Sequence, residues 1–153
     1  LKYCIIGGRK CGTTSLQKYL KSKGVEVERR EQLFTKYDGF NIYSNEFSEY
    51  QPILILREPV DRCFSDWKYA IKTQRTKLKY REYCIQSNYN PGLGELNPLS
   101  QSNYKKWLEP WKNIMLFRLE DLIKISDFPK ENHTDGEISK EDREWTQRAL
   151  IAL

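Results

Sequence analysis

The sequence predicts an α/β fold, three layers deep, with a central parallel sheet flanked by helices. Two short apolar runs, "KYCII" at 2–6 and "ILIL" at 53–56, have the near-continuous hydrophobicity of strands covered on both faces. Each leads through a turn into a segment whose apolar residues recur at helical spacing. Such strand–helix alternation calls for parallel strands joined by right-handed crossovers, with ligands bound beyond the carboxyl ends of the strands. The 153 residues are read as a single domain, 1–153, large enough for a core.

In chain order, the first strand ends at Gly7-Gly8. A helix is expected from about Thr14 to Lys23, capped by Thr13 or Thr14, with Leu16, Tyr19 and Leu20 as its apolar stripe and Gly24 as its stop. "VEVE" at 25–28 alternates as a strand, and the aromatic, turn-rich run up to Tyr50 reads as loop with short helical pieces. After the apolar strand, Pro59 suits a first helical turn. Val60, Cys63, Phe64, Trp67, Ala70 and Ile71 then repeat along one helical face. Turn signals fill 86–99. A helix is expected over 102–111, a buried strand over 113–119 ("NIMLFRL") and a final helix capped by Ser139, with Asp142 answering the cap.

Composition excludes several classes. With 39% hydrophobic and 13% aromatic residues, the chain is too apolar for disorder. No run approaches the ~18 apolar residues of a membrane span, and no signal peptide is visible. The opening at Leu1 and the stop in "RALIAL" read as the ordered part of something longer. Net charge is +5, which suits a protein that handles anions and equally an ordinary surface. The four cysteines show neither C-x-x-C nor zinc spacing, and a reducing compartment is favoured. The single histidine, His133, stands in a polar loop and argues against a His-based metal centre.

Two strand ends are chemically loaded. In "GGRKCGTTS", glycines 7, 8 and 12 let backbone approach an anion, and Thr13, Thr14 and Ser15 add hydroxyls at the positive end of a helix. The triphosphatase pattern places its lysine after the second glycine. Here Thr13 follows Gly12, and Lys10 precedes it. A magnesium-dependent triphosphatase or nucleotide kinase is therefore disfavoured. At the second end, Arg57 closes the apolar strand and Ser65 lies about two turns into the next helix, a pair suited to a second, separate phosphate.

These residues resemble the sulfotransferases that use 3′-phosphoadenosine 5′-phosphosulfate (PAPS). "GGRKCGTTSL" looks like their 5′-phosphosulfate loop and "ILILREPVDRCFSDW" like their 3′-phosphate motif, fifty positions apart from Gly7 to Arg57. "SNYKKWLEPWKNIMLFRLEDL" is similar to the family's later helix–strand block, so the resemblance covers most of 2–122. The closest flavour is the heparan-sulfate branch, including the N-sulfotransferase domains. The resemblance implies a P-loop-like sheet and metal-independent transfer of a sulfuryl group to a hydroxyl or amine, with PAP (3′-phosphoadenosine 5′-phosphate) as product.

It also implies roles. Lys10 would support the leaving phosphate; Arg9, Lys10, Cys11, Gly12, Thr13, Thr14 and Ser15 would hold the 5′ side; Arg57 and Ser65 would bind the 3′-phosphate. Glu31, three residues before Phe34, would take the acceptor's proton, with Glu28 as its rival. Acceptor identity does not carry over from the resemblance; a glycan, anionic or neutral, is one candidate. The basic run 72–81 would guide an anionic one or simply form the solvated side of a helix.

Two family features are missing: Glu46–Pro52 is too short for the usual second-lysine segment, and no cysteine-closed loop is evident near the C-terminus. A non-catalytic module that binds PAP or a glycan is the alternative. Nucleic acid is not an expected partner, because the basic residues lack interleaved stacking aromatics. No membrane contact is expected of this segment, and the oligomeric state is left open. Localisation is expected to be cytoplasmic, with the Golgi lumen as the alternative.

Overall fold

The computed structural model describes residues 2–7, 10–31, 33–36, 49–86, 97–109, 111–129 and 136–153. The elements are β1 (Lys2–Gly7), α1 (Thr13–Ser22), β2 (Val27–Arg29), α2 (Leu33–Lys36), β3 (Tyr50–Leu56), α3 (Pro59–Lys72), α4 (Tyr80–Ile85), α5 (Pro98–Gln101), α6 (Tyr104–Leu108), β4 (Met115–Arg118), α7 (Leu119–Leu122) and α8 (Lys140–Ile151). The fold is α/β. Its four described strands form one all-parallel sheet in the order β2-β1-β3-β4. The chain divides into two compact units, one of residues 1–57 and 105–133, the other of 58–104 and 134–153.

The first unit holds the sheet. Ile5 pairs with Ile53, and Ile53 to Leu56 pair with Met115 to Arg118, so the apolar runs meet in register. Ile5, Ile53, Ile55 and Val27 bury one face against Leu16 of α1, Leu122 of α7 and Phe128. Each such aliphatic side chain contributes about 1.5–3 kcal/mol on leaving water. Period-two alternation sends Cys4, Ile6 and Leu54 to the opposite face, where they too are buried. Burial pushes the Cys4 thiol up to about 11.

The second unit is helical. Cys63, Tyr80, Cys84 and Leu99 form its core, with Phe64, Trp67, Trp145 and Leu150 packed around them. A charged pair lies inside it: Arg62 Nη1 stands 3.5 Å from Asp66 Oδ2, with side chains only 1% and 3% exposed. Arg62 also donates to Ser102 Oγ at 2.7 Å and to the Pro98 carbonyl, while the Tyr83 hydroxyl donates to Asp66 at 3.2 Å. Beside it the Cys84 thiol hydrogen-bonds to Cys63, which lowers the Cys63 thiol and raises that of Cys84.

Several expectations need correcting. Gly12, not Thr13 or Thr14, is the N-cap of α1, and it supplies no side-chain cap. The second strand begins at Val27 rather than Val25. The helix expected over 102–111 is confined to Tyr104–Leu108, has no buried residue, and leaves Trp111 outside it and buried. The strand "MLFR" is the sheet's edge among the described residues. Its Met115 and Leu116 are 40% and 53% exposed instead of buried, because an edge position lacks the neighbour that burial requires.

The short helices α4 and α7 were not foreseen; at 6 and 4 residues they are too short for helical periodicity to declare itself. On the α3 face Val60, Cys63 and Ala70 are buried as expected, but Ile71 is exposed. Ser139 caps α8 as expected, accepting from Asp142 N–H at 3.1 Å. The Asp142 carboxylate meets Arg81 Nε at 2.7 Å.

Candidate active site

The strand order places the topological switch point between β1 and β3: the chain leaves β1 toward β2 on one side, while β3 and β4 lie on the other. Beside such a point, at the carboxyl ends of the strands, open α/β sheets bind ligands. Lys10 and Arg57 stand at those two ends.

Two glycines explain how the loop reaches its shape. Gly12 has φ +93°, and a Cβ there would lie 2.7 Å from Leu119 Cδ1. A Cβ on Gly7 would lie 2.5 Å from Phe34 Cβ, so its absence lets α2 and the turn before it close onto the end of β1. That turn carries Glu31. The Arg30 N–H donates to the Ile5 carbonyl at 2.8 Å, extending the β1–β2 ladder up to it.

Lys10 adopts the left-handed conformation, φ 60°, at a cost of about 1–2 kcal/mol for a residue with a side chain. Its carbonyl accepts from Arg57 Nη1 at 3.4 Å, so the loop after β1 is braced by the first residue after β3. Strain of this kind is found at ligand-binding sites, where the surroundings over-determine it. The first intrahelical bond of α1 runs from Leu16 N–H to the Gly12 carbonyl at 2.9 Å. Thr13, Thr14 and Ser15 form the first turn, whose N–H groups point out of the helix start toward any anion there.

The hydroxyls are committed sideways. Thr13 Oγ1 donates to Glu31 Oε1, and Thr14 Oγ1 accepts from Arg29 Nη1. Arg29 Nε stands 3.4 Å from the same Glu31 oxygen, closing a ring of four side chains across β2 and α1. Glu31 thus touches the phosphate-type loop itself. Glu28 does not: it lies within β2, opposite Cys4, accepts from the Tyr50 hydroxyl at 2.9 Å and pairs with Arg30 at 3.4 Å.

Of the other expected residues, Cys11 is fully buried in the apolar core of the sheet unit. Ser65 is 3% exposed on α3, in the helical unit. Arg9 and His133 lie outside the described residues. Sequence reasoning missed Arg29. Alternation along β2 puts Arg29 and Arg30 on opposite faces, a signal that separates the two arginines without saying which face meets the loop. Among the described residues no three His, Cys, Asp or Glu side chains are grouped to hold a metal ion, and no helix is long and apolar enough to cross a membrane.

No protein-family model and no curated protein matches the chain in sequence. In structure it is similar to a crystallised sulfotransferase from Alicyclobacillus acidocaldarius, with a TM-score of 0.73 at 16% identity over 99% of this chain and 91% of that one. The chain shares the fold of that sulfotransferase.

Proposed function

We propose that this protein is a PAPS-dependent sulfotransferase, moving a sulfuryl group to a hydroxyl or amine of an acceptor, with a glycan as one candidate acceptor class. The observation that carries the reading is the strained Lys10 braced by Arg57 across the switch point. Two cations from two strand ends suit a ligand with two separate phosphate groups. The shared fold supports the same reading.

When bound, PAPS would supply an activated sulfuryl group on its 5′-phosphate. The first turn of α1, Thr13–Ser15, would hold that phosphate through N–H groups at the positive helix end. Lys10 would lie beside the bridging oxygen and offset the charge that builds there as the bond to sulfur breaks. Arg57 would bind the 3′-phosphate through charge-assisted hydrogen bonds; Ser65 carries the same assignment by the resemblance alone. Glu31 would accept the acceptor's proton, a role supported by its contact with Thr13 in the turn that would hold the donor. Positioning and electrostatics would supply the rate gain, without a covalent intermediate. Within this proposal residues 1–153 act as one sulfotransferase domain.

Thermal denaturation with PAP or ADP, each with and without magnesium, tests the reading. PAP at a hundred times its Kd should add about 2.7 kcal/mol of stability without magnesium. Arg57→Ala should remove most of that gain. Stabilisation by ADP alone, and only with magnesium, would replace the sulfotransferase reading with a nucleotide kinase.

A further inference from the structure

The ring of Arg29, Glu31, Thr13 and Thr14 poses an electrostatic problem. A carboxylate hydrogen-bonded to Thr13 stands at the very turn proposed to hold a phosphate. Two anions so close repel each other, and their repulsion is only partly screened at a half-buried position. The Glu31 side chain is 29% exposed and that of Arg29 35%. Arg29 reaches both parts of the conflict: Nε stands 3.4 Å from Glu31 Oε1, and Nη1 donates to Thr14 on the same turn.

We propose that Arg29 is a positioning residue that neutralises Glu31 at the start of α1, so that a proton-accepting carboxylate and a phosphate can occupy neighbouring places. Its fork of donors suits this task better than an ammonium would, because one guanidinium spans a carboxylate and a hydroxyl at once. The inference rests on the sulfotransferase reading. It assigns no contact between Arg29 and the nucleotide.

A double-mutant cycle on PAP binding, followed by calorimetry, tests it without knowledge of the acceptor. Arg29→Met should weaken PAP about tenfold at low salt, and less at high salt. Glu31→Gln alone should leave affinity unchanged or improve it. The double variant Arg29→Met/Glu31→Gln should regain most of the lost affinity, since the charge that needed compensation is gone. Arg29→Lys should retain part of the wild-type affinity through charge alone.

If Arg29→Met binds PAP as tightly as the wild type, the proposal is wrong while the sulfotransferase reading stands. Equal weakening in the single and double variants would also overturn it, showing that Arg29 grips the nucleotide directly or merely supports the fold. Unfolding curves separate these two outcomes. A wild-type protein that does not bind PAP at all would instead remove the functional reading.

Discussion

Two arginine–carboxylate pairs, one in each unit, are built to opposite ends. In the helical unit, Arg62 and Asp66 are sealed from water, and Ser102, the Pro98 carbonyl and Tyr83 complete their hydrogen bonds. In the sheet unit, Arg29 and Glu31 are about a third exposed and bind two hydroxyls of a helix start. Burial decides what each pair does. A sealed pair has already lost its water and holds elements in register, whereas an open pair can balance charge beside a helix start. In the sheet unit Lys10 is held in the left-handed conformation, while in the helical unit's core the charges of Arg62 and Asp66 face one another.

The sharpest break of this contrast would come from Arg62→Ala. Stranding Asp66 in the interior should cost about 3–5 kcal/mol, read from urea denaturation. A loss under 1 kcal/mol would mean that the pair does not hold the helical unit. Arg29→Met, by contrast, should change stability by less than about 1 kcal/mol, because exposed pairs contribute little.

Next in size, Gly12→Ala should destabilise the protein by about 2 kcal/mol, since the left-handed cap acquires a Cβ. Normal stability in that variant would show that the loop relaxes freely. Ser139→Ala should remove the α8 cap at a cost of about 1 kcal/mol and leave PAP binding intact, as a purely structural change in the helical unit should.

The smallest effect is the most telling for the sheet unit. Lys10→Gly relieves the left-handed strain at some entropic cost, so the ligand-free protein should be unchanged or up to about 1 kcal/mol more stable. The same variant should lose transfer activity. A clear loss of ligand-free stability would mean that Lys10 is structural.

Much of the design can be read in the chain before it folds. The apolar runs at 2–6 and 53–56 fill the middle of the sheet because continuous hydrophobicity suits strands covered on both faces. Gly7 and Gly12 mark the loop, Gly7 because a Cβ would collide with Phe34 and Gly12 because its φ of +93° is left-handed. Lys10 and Arg57 are placed by the strands they follow, so topology alone takes them to the carboxyl ends of neighbouring strands. Spacing before Phe34 points to Glu31 over Glu28 as base, and the two differ in place: residue 31 lies beyond the strand end and residue 28 within it.

Tertiary packing decided the rest. "MLFR" has the composition of a buried strand, yet sheet order puts it at an edge, and no local pattern encodes order. Arg62 and Asp66 are an i,i+4 pair whose burial no local pattern marks; they are sealed because elements distant in sequence bring Ser102, Pro98 and Tyr83 around them. Thr13 and Thr14 are cap residues by type, but Gly12 takes the cap and their hydroxyls turn to Glu31 and Arg29. The sequence by itself determined which segments are strands and which loops carry charge, since both follow from local hydrophobicity and backbone freedom. Only the tertiary structure decided which charges meet and which are shielded from water, because an ion pair depends on neighbours that the chain reaches only by folding.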